Sequence, residues 1–223
     1  MNSQHQVEWG SDPIDYDITV PMLSDSCDRA GFRGQVLESR LKPLVSPTRV
    51  SGRARTVHYL PDPNTDPVRP YDDVIEFIDA AAPGELIVAA TDNSNACAFW
   101  GELFSAAAKG RGAHGIITDG NIRDSEKIVA IEFPVFSRNA RPTDVRGRMR
   151  VEASQVPVVI GGVTIRPADL VVADDDGVIV IPADQEQMIL SYARERARAE
   201  STVLHELLAG ATLREVWTKY GIL

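Results

Sequence analysis

The spacing of apolar positions changes several times along the chain, and each change marks an element. Thr19–Ala30 (TVPMLSDSCDRA) reads as a helix, with Pro21 tolerated in its first turn and Gly31 as its stop. Leu44–Tyr59 alternates as extended structure does, with Val50, Ala54 and Val57 inward. PDPNTDPVRP is a turn-rich loop, after which Val74, Ile75, Phe77 and Ile78 recur at helical spacing within Tyr71–Ala80. Ala82-Pro83-Gly84 then turns into a strand over Glu85–Ala90, so this part of the chain alternates helix, strand, helix, strand.

The central stretch continues the alternation. GELFSAAAKGRG is a helix whose small residues Ser105, Ala106, Ala107 and Ala108 let it lie close to a sheet, and Gly110 and Gly112 are its stop signals. Gly115–Thr118 is too apolar to face water and is expected as a central strand of a parallel sheet, reached by a crossover. Pro134-Val135-Phe136 is a short strand. Residues 155–182 hold apolar runs broken at Gly161-Gly162, a tight turn or bulge, and at Asp176-Gly177, a hairpin turn between β-branched strands. The C-terminal arm, 184–223, is helical: Asp184 with Gln187 forms a candidate capping box, Gly210 stops the helix, and a second box, Thr212 with Glu215, opens a last helix ending at Gly221. Residues 1–18 form a polar arm whose Trp9 and Tyr16 are expected to pack on a neighbour.

Composition narrows the function classes. The 223 residues, 43% hydrophobic, suffice for a single domain spanning 1–223. A net charge of -9 without a basic run argues against a nucleic-acid surface. No apolar run reaches the ~20 residues of a membrane helix, and MNSQHQVEWG lacks a signal-peptide core, so a cytoplasmic, membrane-free protein is expected. Cys27 and Cys97 read as buried thiols. His5, His58, His114 and His205 lie too far apart for a zinc motif, and no G-x-S-x-G or G-x-G-x-x-G occurs. Asp174, Asp175 and Asp176 read as a solvated turn, because consecutive strand residues face opposite ways.

The candidate chemistry lies between Gly101 and Asp124. Gly101 opens a helix whose first N–H groups have no intrahelical partner, so an anion can dock there. Ligands of parallel sheets gather at the carboxyl ends of strands, which places Arg123 and Asp124 at the mouth, opposite the helix start. Glu102, separated from Arg123 by twenty intervening residues, adds a second carboxylate expected to meet Asp124 across the pocket. Such a set can hold Mg²⁺ or Mn²⁺. An Arg-Asp dipeptide in a loop is more often a structural ion pair or a turn than a catalytic unit; Glu102 weighs toward function, and the spacing permits a cation site without proving it.

The motifs SDSCDRAGFRG, RVSGRARTV, APGELIVA, WGELFSAAAKGRGAHGIITDGNIRD, PVFSR, VPVVIGGVTIRPADLVVADDDGVIVIP and LLAGATLREVWTKYGIL, in this order, resemble one family. It contains the 4-hydroxy-4-methyl-2-oxoglutarate/4-carboxy-4-hydroxy-2-oxoadipate aldolases and the regulator of ribonuclease activity A. The resemblance implies an α/β protein with the three-layer β/β/α swivelling-domain fold, carrying here a C-terminal helical extension. It also implies homotrimers or hexamers with the active site between subunits. In the aldolase branch the pattern is an acidic residue, twenty residues, then Arg-Asp. Carried over, Asp124 ligates Mg²⁺ or Mn²⁺, Glu102 holds metal-bound water, and Gly101, Leu103 and Phe104 belong to the segment that takes the carboxylate of a 2-oxo acid. Arg123 stabilises the pyruvate enolate formed by retro-aldol cleavage or oxaloacetate decarboxylation. A base for the C4 hydroxyl could be water oriented by Glu102 or by Glu200 of a neighbouring subunit. Position 102 is Glu where the aldolases tend to have Asp. The regulators, a non-catalytic alternative, tend to lack the Asp after the Arg.

Overall fold

The structure, a computed structural model, describes residues 14–15, 17–38, 41–64 and 69–222; Trp9 and Tyr16 lie outside them. In chain order the elements are α1 (Val20–Arg29), β1 (Lys42–Pro43), β2 (Val50–Pro61), α2 (Asp72–Asp79), β3 (Glu85–Ala90), β4 (Ala98–Trp100), α3 (Glu102–Gly110), β5 (Ile116–Thr118), β6 (Asn121–Ile122) and α4 (Ser125–Ala130). Then follow β7 (Val135–Ser137), β8 (Asn139–Ala140), β9 (Met149–Ser154), β10 (Val158–Ile160), β11 (Val163–Ile165), β12 (Leu170–Asp174), β13 (Gly177–Ile181), α5 (Glu186–Leu208) and α6 (Leu213–Tyr220).

The main sheet has eight strands in the order β1-β7-β5-β3-β2-β12-β13, with β9 also on β2. Strands β2, β3, β5 and β7 are parallel neighbours, as the apolar character of the central stretch requires. β3 shows why three layers form. Its Ile87 and Ala89 pack with Val74, Phe77 and Ile78 of α2, Ala108 of α3 and Ile128 of α4. Leu86, Val88 and Ala90, on the other face, meet Val158, Ile160, Val163 and Ile165 of the β10–β11 hairpin. Hairpin, sheet and helices are the β/β/α layers. A third apolar cluster seats α1 and α5 on β12 and β13 through Leu23, Leu170, Ile181 and Ile189. From there α5 and α6 continue as the C-terminal helical extension.

Several local expectations shift by a residue or more. The strand expected from Leu44 starts at Val50, since Pro47 has no N–H to give a ladder, and it runs on to Pro61. Gly161 and Gly162 both adopt positive φ, 53° and 80°, the two-residue turn that suits a tight hairpin. In the β12–β13 hairpin Asp174 pairs with Gly177, so Asp175 and Asp176, not Asp176-Gly177, make the turn. Asp174 is more than solvated: its Oδ1 accepts from the Asp176 N–H at 2.9 Å, and its Oδ2 accepts from the Val20 N–H, at the start of α1, at 2.9 Å. The Asp184–Gln187 capping box does not form. The turn closed by Gln185 N–H on the Pro182 carbonyl makes Gln185 the residue before α5, one position too late for Asp184 to reach the helix. The Thr212–Glu215 box forms in both directions. Cys27 and Cys97 are buried and unbridged.

Candidate active site

The site is built where the parallel strands stop. Beyond their carboxyl ends, β3, β5 and β7 break and restart as β4, β6 and β8, a second parallel sheet of three strands. Asp119 organises the break. This buried carboxylate accepts from the Thr91 N–H at 2.6 Å, the Thr91 hydroxyl at 2.9 Å and the Asn93 N–H at 2.8 Å, filling backbone demand that the interrupted ladder leaves. Gly120 is held bare: a Cβ there would lie 2.7 Å from Thr91 Cγ2 and 2.8 Å from Phe99 Cε1.

Past the break, the chain brings α3 and the 123–124 turn into contact. The Arg123 N–H donates to the Trp100 carbonyl at 2.9 Å, which sets Asp124 against Gly101. Asp124 has left-handed φ and ψ of 61° and 35°. It occupies the N-cap position of α4 without capping it; its Oδ2 instead faces the Glu102 N–H, at the start of α3, at 3.3 Å. A Cβ on Gly101 would come within 2.6 Å of that oxygen and 3.2 Å of Arg123 Cγ. So glycine is required for close approach and not for backbone conformation. The Ser105 N–H to the Gly101 carbonyl closes the first turn, and the N–H groups of Leu103 and Phe104 precede it without intrahelical acceptors. Beneath them Trp100 is pinned by its Nε1 donating to Ser105 Oγ at 2.8 Å.

Around Arg123 the charges are ordered. Its Nε lies 3.7 Å from Asp124 Oδ2, and its outer nitrogen 3.1 Å from Asp144 Oδ1. Asp144 also accepts from the Tyr71 hydroxyl at 2.8 Å. Burial first, then that bond, raises the Tyr71 phenol above its ordinary value. Glu102 turns elsewhere, pairing with Lys127 at 3.0 Å, which raises the Lys127 ammonium. Two carboxylates therefore face the Arg123 guanidinium, Glu102 is neutralised by Lys127, and two further cations stand at the edge, Arg146 over the Tyr71 ring at 5.6 Å and Arg141 beside Asp124. Tyr71, Trp100, Leu103, Phe104 and Asp144 complete a cleft of about 180 Å³.

The expected residues thus converge with two corrections. Arg123 and Asp124 lie against the helix start, not opposite it, because the Arg123–Trp100 bond ties the turn to β4. Glu102 meets Asp124 through its N–H and not its carboxylate, because Lys127, one helical turn past Asp124, captures the side chain. Glu200 lies on α5, paired with Arg196 at 2.5 Å. Among the described residues no three His, Cys, Asp or Glu side chains form a ready cage. Mg²⁺ does not need one: a carboxylate or two with retained waters is a common mode, and half-exposed Asp124 fits it. Sequence reasoning missed Tyr71, Asp144, Lys127 and Asp119. Only Asp119 left a trace, as a polar residue ending an apolar strand.

Residues 20–180 match the RraA-like family model described as Aldolase/RraA. The chain belongs to that family. A Halalkalibacterium halodurans protein provisionally named 4-hydroxy-4-methyl-2-oxoglutarate aldolase is 35% identical over 179 residues, covering 80% of either chain. Protein DlpA of Legionella pneumophila is 29% identical over 198 residues, 89% of this chain but 32% of DlpA, so this chain spans about a third of that relative. Among solved structures, one from Pseudomonas syringae pv. tomato aligns with a TM-score of 0.80 at 29% identity, covering 91% of this chain and 90% of the other. RraAS2 of Streptomyces coelicolor, described as an unusual member of the RNase ES inhibitor RraA family, aligns at 0.74 and 26% identity, covering 86% of this chain and 98% of its own. The RraA-like match contains every residue of the cleft and ends before α5.

Proposed function

We propose that this chain is a divalent-cation-dependent lyase that cleaves a 4-hydroxy-2-oxo acid to pyruvate and decarboxylates oxaloacetate at the same site. The observation that carries the reading is the bare Gly101 contact, which sets a carboxylate, a guanidinium and the amino end of a helix within one small cleft.

The substrate carboxylate docks on the Leu103 and Phe104 N–H groups, where the α3 dipole is favourable. That orientation directs the 2-oxo oxygen toward Arg123. When the C3–C4 bond breaks, the C4 hydroxyl passes its proton to a water held near Glu102 and becomes a carbonyl. The bond's electron pair moves into the pyruvate fragment, and negative charge collects on the 2-oxo oxygen, the position a guanidinium stabilises, until a proton returns to C3 and gives pyruvate. Loss of carbon dioxide from oxaloacetate leaves the same charge, so one arrangement serves both reactions. Asp124 would hold a Mg²⁺ or Mn²⁺ ion, which supplies Lewis-acid polarisation of the 2-oxo carbonyl when bound. Phe104 and Trp100 pack at 5.7 Å and line the cleft with apolar surface, which strengthens these electrostatic interactions.

A homotrimer or hexamer with the cleft between subunits belongs to the same reading. Leu103 is 78% exposed at the cleft rim and Trp217 49% exposed on α6, apolar surface that a neighbouring subunit would cover. No helix among the described residues is long and apolar enough to cross a membrane, in keeping with a cytoplasmic enzyme. Similarity to RraAS2 favours one other reading, a non-catalytic regulator of a ribonuclease. The two separate on pyruvate release from oxaloacetate measured with Mg²⁺ and with EDTA: the lyase reading expects cation-dependent release, and no release in either condition leaves the regulator.

A further inference from the structure

We propose that Asp144, steadied by the Tyr71 hydroxyl, is the positioning residue that aims Arg123 at the developing oxyanion. The inference rests on the lyase reading above and assigns two residues to it that lie outside the Glu102, Arg123, Asp124 pattern.

Arg123 needs such a support. A guanidinium on a long, half-exposed side chain keeps considerable rotamer freedom unless something holds it. Asp124 is a poor holder, since its oxygen is 3.7 Å from Nε, beyond hydrogen-bond distance. Asp144 is at 3.1 Å from the outer nitrogen. Its own carboxylate is fixed at both oxygens, Oδ1 by the Val145 N–H at 2.8 Å and Oδ2 by the Tyr71 hydroxyl at 2.8 Å. Tyr71 is fixed in turn: its ring meets Phe104 edge-on at 6.1 Å, and Phe104 packs against Trp100. A continuous line of contacts thus runs from the buried Trp100 to the tip of Arg123. With both oxygens engaged by protein donors, Asp144 orients the cation at Arg123, a task distinct from that of Asp124.

A misplacement of the order of 1 Å at such a site costs about a hundredfold in rate. Asp144→Asn keeps the shape but removes the charge, and its amide cannot accept from both Arg123 and Tyr71. With oxaloacetate and Mg²⁺ its kcat is expected to fall about a hundredfold, with KM within about threefold of the unmodified chain, because the loss falls on the transition state. Tyr71→Phe should lower kcat about tenfold in the same pattern, and Asp144→Glu should recover part of what Asp144→Asn loses. The deciding measurement is the Arg123→Ala background. A residue acting through Arg123 has nothing left to aim there, so adding Asp144→Asn should leave the residual rate unchanged, whereas a merely structural role would lower it again. Pyruvate release by the unmodified chain with full kcat in Asp144→Asn, or an added loss in the Arg123→Ala background, overturns this proposal alone. No release by the unmodified chain overturns the lyase reading and this proposal with it. If Asp144→Asn melts early and cannot be assayed, Tyr71→Phe with unchanged kcat overturns the assignment.

Discussion

At the scale of single residues, the site depends on an atom that is absent. Gly101→Ala would place a methyl 2.6 Å from Asp124 Oδ2, and the side chain that must move is the proposed cation ligand. Its expected effect is a fall of about a hundredfold in Mg²⁺-dependent oxaloacetate decarboxylation, with the melting temperature nearly kept; a Mg²⁺ titration of both proteins checks it. Arg123→Ala should lower kcat about 10²–10³-fold, the usual loss on removing an oxyanion donor. Asp124→Ala should be insensitive to EDTA because no cation-dependent activity remains, and a fully active variant would refute its role. The thiols behave oppositely. Burial pushes Cys27 up to about 11 and raises Cys97 as well, so neither should react with a maleimide near neutral pH until the protein is unfolded by denaturant.

Helix caps decide the element scale, and they should separate local from global stability. Thr212→Ala removes the hydroxyl that accepts from the Glu215 N–H, one half of the α6 capping box, and leaves the backbone N–H of residue 212 donating to the Glu215 carboxylate; the expected loss is about 1 kcal/mol. Because α6 buries only Val216, the expected result is faster hydrogen exchange confined to that helix. Asp174→Ala takes the hydrogen-bond acceptor from the Val20 N–H and from its own hairpin turn at once. α1 buries Val20, Leu23 and Cys27 against β12, β13 and α5, so this loss should appear as a lower midpoint in global denaturant unfolding. Equal, purely local effects of the two variants would contradict that division.

For the whole molecule the prediction concerns assembly. Leu103 at the cleft rim and Leu204, Leu208, Leu213 and Trp217 along the C-terminal arm are exposed apolar side chains, beyond what one subunit's core uses. Light scattering at micromolar concentration is expected to give a trimer or hexamer; a monomer there would remove both the assembly and the shared cleft. A net charge of -9 spread over the chain is compatible with such packing only where apolar contact or ion pairs outweigh repulsion.

Local order was legible in the sequence wherever a single periodicity sufficed. The helix over Thr19–Ala30, the strand Glu85–Ala90 and the Thr212–Glu215 box all depend on neighbours a few residues apart, and the structure has them in place. The Asp184 box failed because one backbone turn shifted the helix start by a residue. The motif order likewise sufficed for the family and hence for the three-layer fold. Only tertiary structure decided who touches whom at the cleft. Asp144 sits in a loop without periodicity, seventy-three positions from Tyr71, and Lys127 neutralises Glu102 across twenty-five residues, pairings that no spacing rule encodes. Strand breaks at Asp119 and Gly120 fold those distant segments together, and the geometry of that crossing, set by close packing, fixes where each charge comes to rest.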